Sequence, residues 1–175
     1  ASWQTTSANH HVLLVSTNSQ TGIMYVNLAN YTNWEMRITI KTIPAGTDGD
    51  GWFLFGNSDD GSASYTTGTS VYNANGYCYY NHRYTGDSNP RHRINSGSTV
   101  IKSHDTQISA VSYNSVFIRV TMRRIGSTIT IEKRGMGGTA YPDMIFEATD
   151  TGTAPTGTHF GVGALTGGAW QNVSV

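Results

Sequence analysis

Charge, cysteine and helical periodicity are all scarce in this chain of 175 residues, and each shortage excludes something. Charged residues make up 13% of the sequence, in balance at eleven acidic and eleven basic, so there is no basic patch to favour nucleic acid or an anionic membrane surface. Lysine occurs only at Lys41, Lys102 and Lys133, and arginine supplies the other cations. Its flat, forked guanidinium suits ligand or interface contacts better than mere solubility. The single cysteine, Cys78, excludes an internal disulfide; it lies in an apolar aromatic run and reads as a buried, inert thiol. No apolar run approaches the roughly 20 residues of a membrane helix. No window of eleven or more residues carries a helical period either.

What is present is alternation of period two. "WEMRITIKTI" sets Met36, Ile38 and Ile40 against Glu35, Arg37, Thr39 and Lys41. "SVFIRVTMRR" sets Val116, Ile118, Val120 and Met122 against Arg119, Thr121 and Arg123, and "STITIEKR" continues with Ile129 and Ile131. Further strands are expected at "HVLLVS", "GIMYVNL", "GWFLFG", "GYCYYNHRY", "MIFEAT", "HFGVGAL" and "WQNVSV", divided by turns rich in Gly, Asn and Asp. "RIGST" joins two of the strongest into a hairpin. Some ten strands, each with one apolar face, must bury those faces against a second sheet. The fold class is therefore all-β, an antiparallel β-sandwich, and residues 1–175 are expected to form one domain.

From about residue 34 onward the strand order resembles the concanavalin A-like lectin/glucanase superfamily, which implies a sandwich of jelly-roll type. "DGDGWFLFGNS" is similar to the L-type lectin segment in which an Asp-Gly pair precedes an aromatic strand. The resemblance implies that Asp50 reaches a bound sugar from the rim of the sheet. "NHRYTGDSNPRHRIN" resembles the lectins' metal loop and implies ligand positions at Asn81 and Asp87, although Tyr77-Cys78-Tyr79-Tyr80 stands where acidic ligands precede that loop in lectins. The C-terminal half is equally similar to the laminin-G-like and carbohydrate-binding-module branches.

The residues themselves add two readings. Asp48-x-Asp50-Gly51 begins as a calcium loop does, with close carboxylates and a glycine turn, and Asp59 or Asp60 stand at the far end of the strand; the bidentate Glu of an EF-hand is missing. The alternative is a pair of solvated turns. On a strand from 77 onward, Tyr77, Tyr79, Asn81 and Arg83 share one face and Cys78, Tyr80, His82 and Tyr84 the other. If Cys78 faces the core, the first set is presented outward, where rings stack on pyranoses and amides bind hydroxyls. Trp52 and Trp170, each near glycines, extend such a platform. The alternative is that these rings pack between the sheets.

Catalysis is not expected. Glycosidases need paired carboxyl groups, which the glucanases of this fold carry as Glu-x-Asp-x-x-Glu on one strand; Glu35, Glu132 and Glu147 are each isolated here. "DTQISA" is faintly similar to a polysaccharide-lyase strand, but Ser109 stands where its His belongs. No histidine spacing suggests a metal, no GxSxG is present, and "GMGG" and "LTGGAW" are turns rather than phosphate cradles. The function expected is a non-catalytic carbohydrate-binding or lectin-like domain with a glycan partner and calcium as its only candidate cofactor. The alternative is a structural subunit of an extracellular fibre, filament, adhesin or virion surface, self-associating through strand edges. A start without Met suggests a processed form or excised module, and the neutral surface a secreted, extracellular protein.

Overall fold

In the computed structural model, the residues described are 2–6, 11–15, 22–41, 52–59, 64–66, 71–73, 76–82, 91–104, 117–135, 144–164 and 170–174. They form fifteen strands and, among them, no helix: β1 Ser2–Thr6, β2 His11–Val15, β3 Gly22–Asn27, β4 Asn33–Lys41, β5 Trp52–Ser58, β6 Ser64–Thr66, β7 Val71–Asn73, β8 Tyr77–His82, β9 Arg91–Ser96, β10 Thr99–His104, β11 Phe117–Ile125, β12 Thr128–Gly135, β13 Met144–Thr149, β14 His159–Ala164 and β15 Trp170–Ser174. Two sheets carry the fold, a six-stranded one in the order β10-β9-β8-β5-β14-β3 and a five-stranded one in the order β13-β12-β11-β4-β15. Every ladder is antiparallel. Two small hairpins, β1-β2 and β6-β7, accompany them, with β2 alongside β15.

The alternation in the sequence decides what lies between the sheets. Met36 and Ile38 of β4, Ile118, Val120 and Met122 of β11, and Ile129 and Ile131 of β12 meet Leu54, Tyr77, Tyr79, Ile94 and Val162 of the opposite sheet. Their polar neighbours face outward: Glu35 bonds Arg123 and Arg37, and Thr130 bonds Glu147. The β9-β10 and β11-β12 turns each begin with a glycine at positive φ, Gly97 at 56° and Gly126 at 58°, the backbone state that tight hairpins demand and side chains resist.

The six-stranded sheet is buried on both faces at its centre. Leu54 looks into the sandwich, yet Phe53, Phe55 and Cys78, on the opposite face, are also fully buried. Burial pushes the Cys78 thiol far above its ordinary value, as expected of an inert cysteine. On this second face the Phe53 ring lies over β14, where a Cβ added at Gly163 would sit 2.0 Å from it. Gly163→Ala is therefore expected to destabilise by about 1–3 kcal/mol through overpacking, measured by urea denaturation. Wild-type stability would show that the ring has room to move.

Candidate functional site

Strand register brings Trp52, Asn81 and Trp170 to one end of the sandwich. Trp52, the first residue of β5, pairs with Asn81 near the end of β8 and with Ala164 at the end of β14. Asn81 pairs in turn with His92 near the start of β9, and Trp170 opens β15 opposite Ile40. Asp48 and Asp50 precede Trp52 in the chain, and Arg83 and Asp87 follow His82, so all seven belong to strand ends that meet at this rim or to the segments adjoining them. Asp48, Asp50, Arg83 and Asp87, and the side chains of Trp52, Asn81 and Trp170, lie outside the described residues. Among the described residues no group of three His, Cys, Asp or Glu side chains could hold a metal ion. Three aspartates and an asparagine in the sequence around these strand ends are the hard oxygen donor types that suit calcium.

Tyr77 and Tyr79 correct the expectation of an outward aromatic face. Both are fully buried, facing the five-stranded sheet, whereas Cys78 points the other way. Alternation alone could not choose between the two sets, because β8 is covered on both sides. Neither ring is available to stack on a sugar from solvent.

Beneath the rim, Tyr79 belongs to a buried polar cluster. Its hydroxyl lies 2.9 Å from His92 Nδ1, and Lys133 Nζ lies 3.1 Å from the same nitrogen. The hydroxyl and the amine thus meet at one imidazole nitrogen. The Lys133 nitrogen also stands 5.5 Å from the Tyr79 ring centroid, and that ring stacks parallel to the imidazole. Lys133 is 1% exposed, and burial holds its amine well below the ordinary lysine range.

A second polar cluster closes the opposite end of the core. Asn57, at a positive φ of 53°, accepts from Trp34 Nε1 at 2.6 Å and from Arg124 at 2.7 Å. Its amide nitrogen donates to Asn30 Oδ1, to the Tyr31 carbonyl and to the Gly157 carbonyl. Arg124 spans the gap to Gly126 O at 2.8 Å and lies 4.9 Å from the centroid of the Tyr77 ring. Burial, then the neighbouring Asp150, pushes the Tyr77 hydroxyl up to about 12 against the opposing pull of Arg124. Burial would raise Asp150, but hydrogen bonds from Ser96 and the Gly152 amide hold it below its usual value. The hydrogen bonds of Asn57 and Arg124 tie residues 30–34, 57, 124–126 and 157 together; they are architecture. Sequence reading missed both clusters, though Lys133 was visible as the third inward position after Ile129 and Ile131.

No protein-family model and no curated protein matches the chain in sequence. Its structure, however, resembles that of the VIP36 exoplasmic/lumenal domain in a calcium- and mannose-bound form, with a TM-score of 0.65 and 17% identity over 98% of this chain and 78% of that one. Lectin II from Ulex europaeus aligns at 0.59 with 10% identity, covering 95% and 86%. The winged bean acidic lectin complexed with methyl-α-D-galactose aligns at 0.58 with 14% identity, covering 99% and 91%. Identities this low speak to architecture, and on that point they agree: the chain has the concanavalin A-like lectin fold.

Proposed function

We propose that this protein is a non-catalytic, glycan-binding lectin-like domain whose site is the rim where β5, β8 and β14 end. One observation carries the reading: Trp52, preceded by Asp48 and Asp50, pairs with Asn81, followed by Arg83 and Asp87. An aromatic residue, an amide, a guanidinium and carboxylates thereby fall within a few residues of one paired strand position, the mixture of groups that grips both the faces and the hydroxyls of a sugar. In this reading Asp50, Trp52, Asn81, Arg83 and Trp170 contact the glycan. Asp48, Asp50, Asn81 and Asp87 would hold calcium, which orients the carboxylate and amide toward hydroxyls. The neighbours lend support, since VIP36 was solved with calcium and mannose and the winged bean lectin with a galactoside. A secreted or lumenal protein is in keeping with them.

A glycan array probed with and without EDTA tests this. Saccharide binding is expected, abolished by the chelator, and weakened about 10- to 100-fold by Asp50→Ala, the loss of a charge-assisted contact of about 1.5–3 kcal/mol. Binding indifferent to both would remove the rim from the site. A second reading, assembly through strand edges, is favoured by the exposure of Tyr25, Val26 and Leu28 at the edge of the six-stranded sheet.

A further inference from the structure

We propose that β3 is the self-association surface of this protein, pairing antiparallel with β3 of a second copy about a two-fold axis at Tyr25. The proposal rests on the assembly reading, not on the glycan one. β3 ends the six-stranded sheet, and among the described residues its sole ladder partner is β14. The Leu28 amide donates to the Thr158 carbonyl at 2.8 Å, which sets the phase of that ladder. Leu28, Val26 and residue 24 turn their backbone groups toward β14; Ile23, Tyr25 and Asn27 turn theirs to the open edge.

The other three edges carry devices that discourage strand addition, and β3 carries none. β10 has a register irregularity between Val100 and Lys102 and an exposed lysine; β13 exposes Glu147; β15 has β2 alongside. β3 runs in unbroken register with β14, without proline, and residues 1–34 contain no Asp, Glu, Lys or Arg at all. Tyr25 is 54% exposed and Val26, on the opposite face, 38%. Both faces of the edge thus present apolar surface to solvent. One side of the Tyr25 ring already leans on His159, with centroids 5.2 Å apart.

A second copy is the partner this pattern selects. Pairing about a two-fold sets the axial residue against itself and its neighbours against each other, so any charge near the axis meets its like. A charge-free strand is complementary to its own copy. With the axis at Tyr25, positions 23 and 27 exchange hydrogen bonds across the interface, the two Tyr25 rings form a cross-strand pair, and Val26 comes opposite residue 24. The two sheets then run on as one, with corresponding strand ends facing opposite ways.

Sedimentation equilibrium over a concentration series tests this with wild type, Tyr25→Lys, Tyr25→Glu and an equimolar mixture of the two variants. Wild type is expected to dimerise. Each variant alone, folded by circular dichroism, should associate at least ~100-fold more weakly because like charges meet at the axis, and the mixture should recover a heterodimer. A wild type that stays monomeric throughout overturns both the proposal and the assembly reading. Self-association that neither variant weakens, or that the mixture fails to restore, overturns the β3 pairing and leaves assembly to another edge.

Discussion

Asn57→Ala should lower the unfolding free energy by about 4 kcal/mol. The substitution leaves Trp34 Nε1 without its acceptor and removes one acceptor of Arg124, both in the closed end of the core. A buried donor deprived of its partner costs about 1–3 kcal/mol, more when charged. Alanine must also adopt the left-handed backbone that Asn57 occupies at φ 53°, at a further cost of about 1–2 kcal/mol. Asn57→Gly separates the two contributions, for it loses the same hydrogen bonds but tolerates the backbone. Glycine should therefore be the milder substitution by about 1 kcal/mol, the reverse of the order usual within a strand. Urea denaturation of the three proteins at pH 7 measures this. An alanine variant as stable as wild type would mean that the segments joined at Asn57 hold together without it.

Lys133→Met should change the pH dependence of stability. In the unfolded chain the amine keeps its proton up to its ordinary value of 10.5, whereas burial lowers the folded value. Between the two the unfolded state binds more protons, so stability rises with pH, by up to about 1.4 kcal/mol per unit, and is lost as pH falls through the same window. The slope is cleanest in the part of that window below about pH 8.5. Above that range Cys78, whose folded value is raised, begins to ionise in the unfolded chain, and Tyr77 follows; both then reduce stability as pH climbs. Wild type should gain stability across the cleaner window and Lys133→Met should lie flat. On the acid side the two should behave alike. Glu35 and Asp150 are held below their ordinary values, so their contribution is present near neutrality and fades as pH falls through the carboxylate range. A variant with the wild-type slope would exclude Lys133 as its source.

The fold was legible wherever one face of a strand meets the core and the other meets water. In β4, β11 and β12 that contrast is written residue by residue, and the inward set of Met36, Ile38, Ile118, Val120, Met122, Ile129 and Ile131 reads directly from the sequence. Legibility failed at β8 for a physical reason. With Tyr79 buried on one face and Cys78 on the other, period two identifies two sets of side chains but not which of them faces the second sheet. The Asn57 cluster was invisible for another reason. It joins Asn30, Trp34, Arg124 and Gly157, residues far apart in the chain, around a side chain unremarkable in its own neighbourhood. The rim lies between these cases. Each short acidic or aromatic stretch stood out, yet the pairing of Trp52 with Asn81 depends on a register that no local pattern encodes.

Backbone amide chemical shifts recorded during titration with a saccharide identified on the array, in calcium, address the central claim most directly. Expected are shifts concentrated at Trp52, Asn81, Trp170 and the adjoining residues 42–51 and 83–90, with Tyr25 and the Gly126 turn unmoved, and reversal of these shifts by EDTA. Shifts clustering instead around Asn57 and Arg124, or along β3, with the rim silent, would place the glycan elsewhere and contradict the rim as its site.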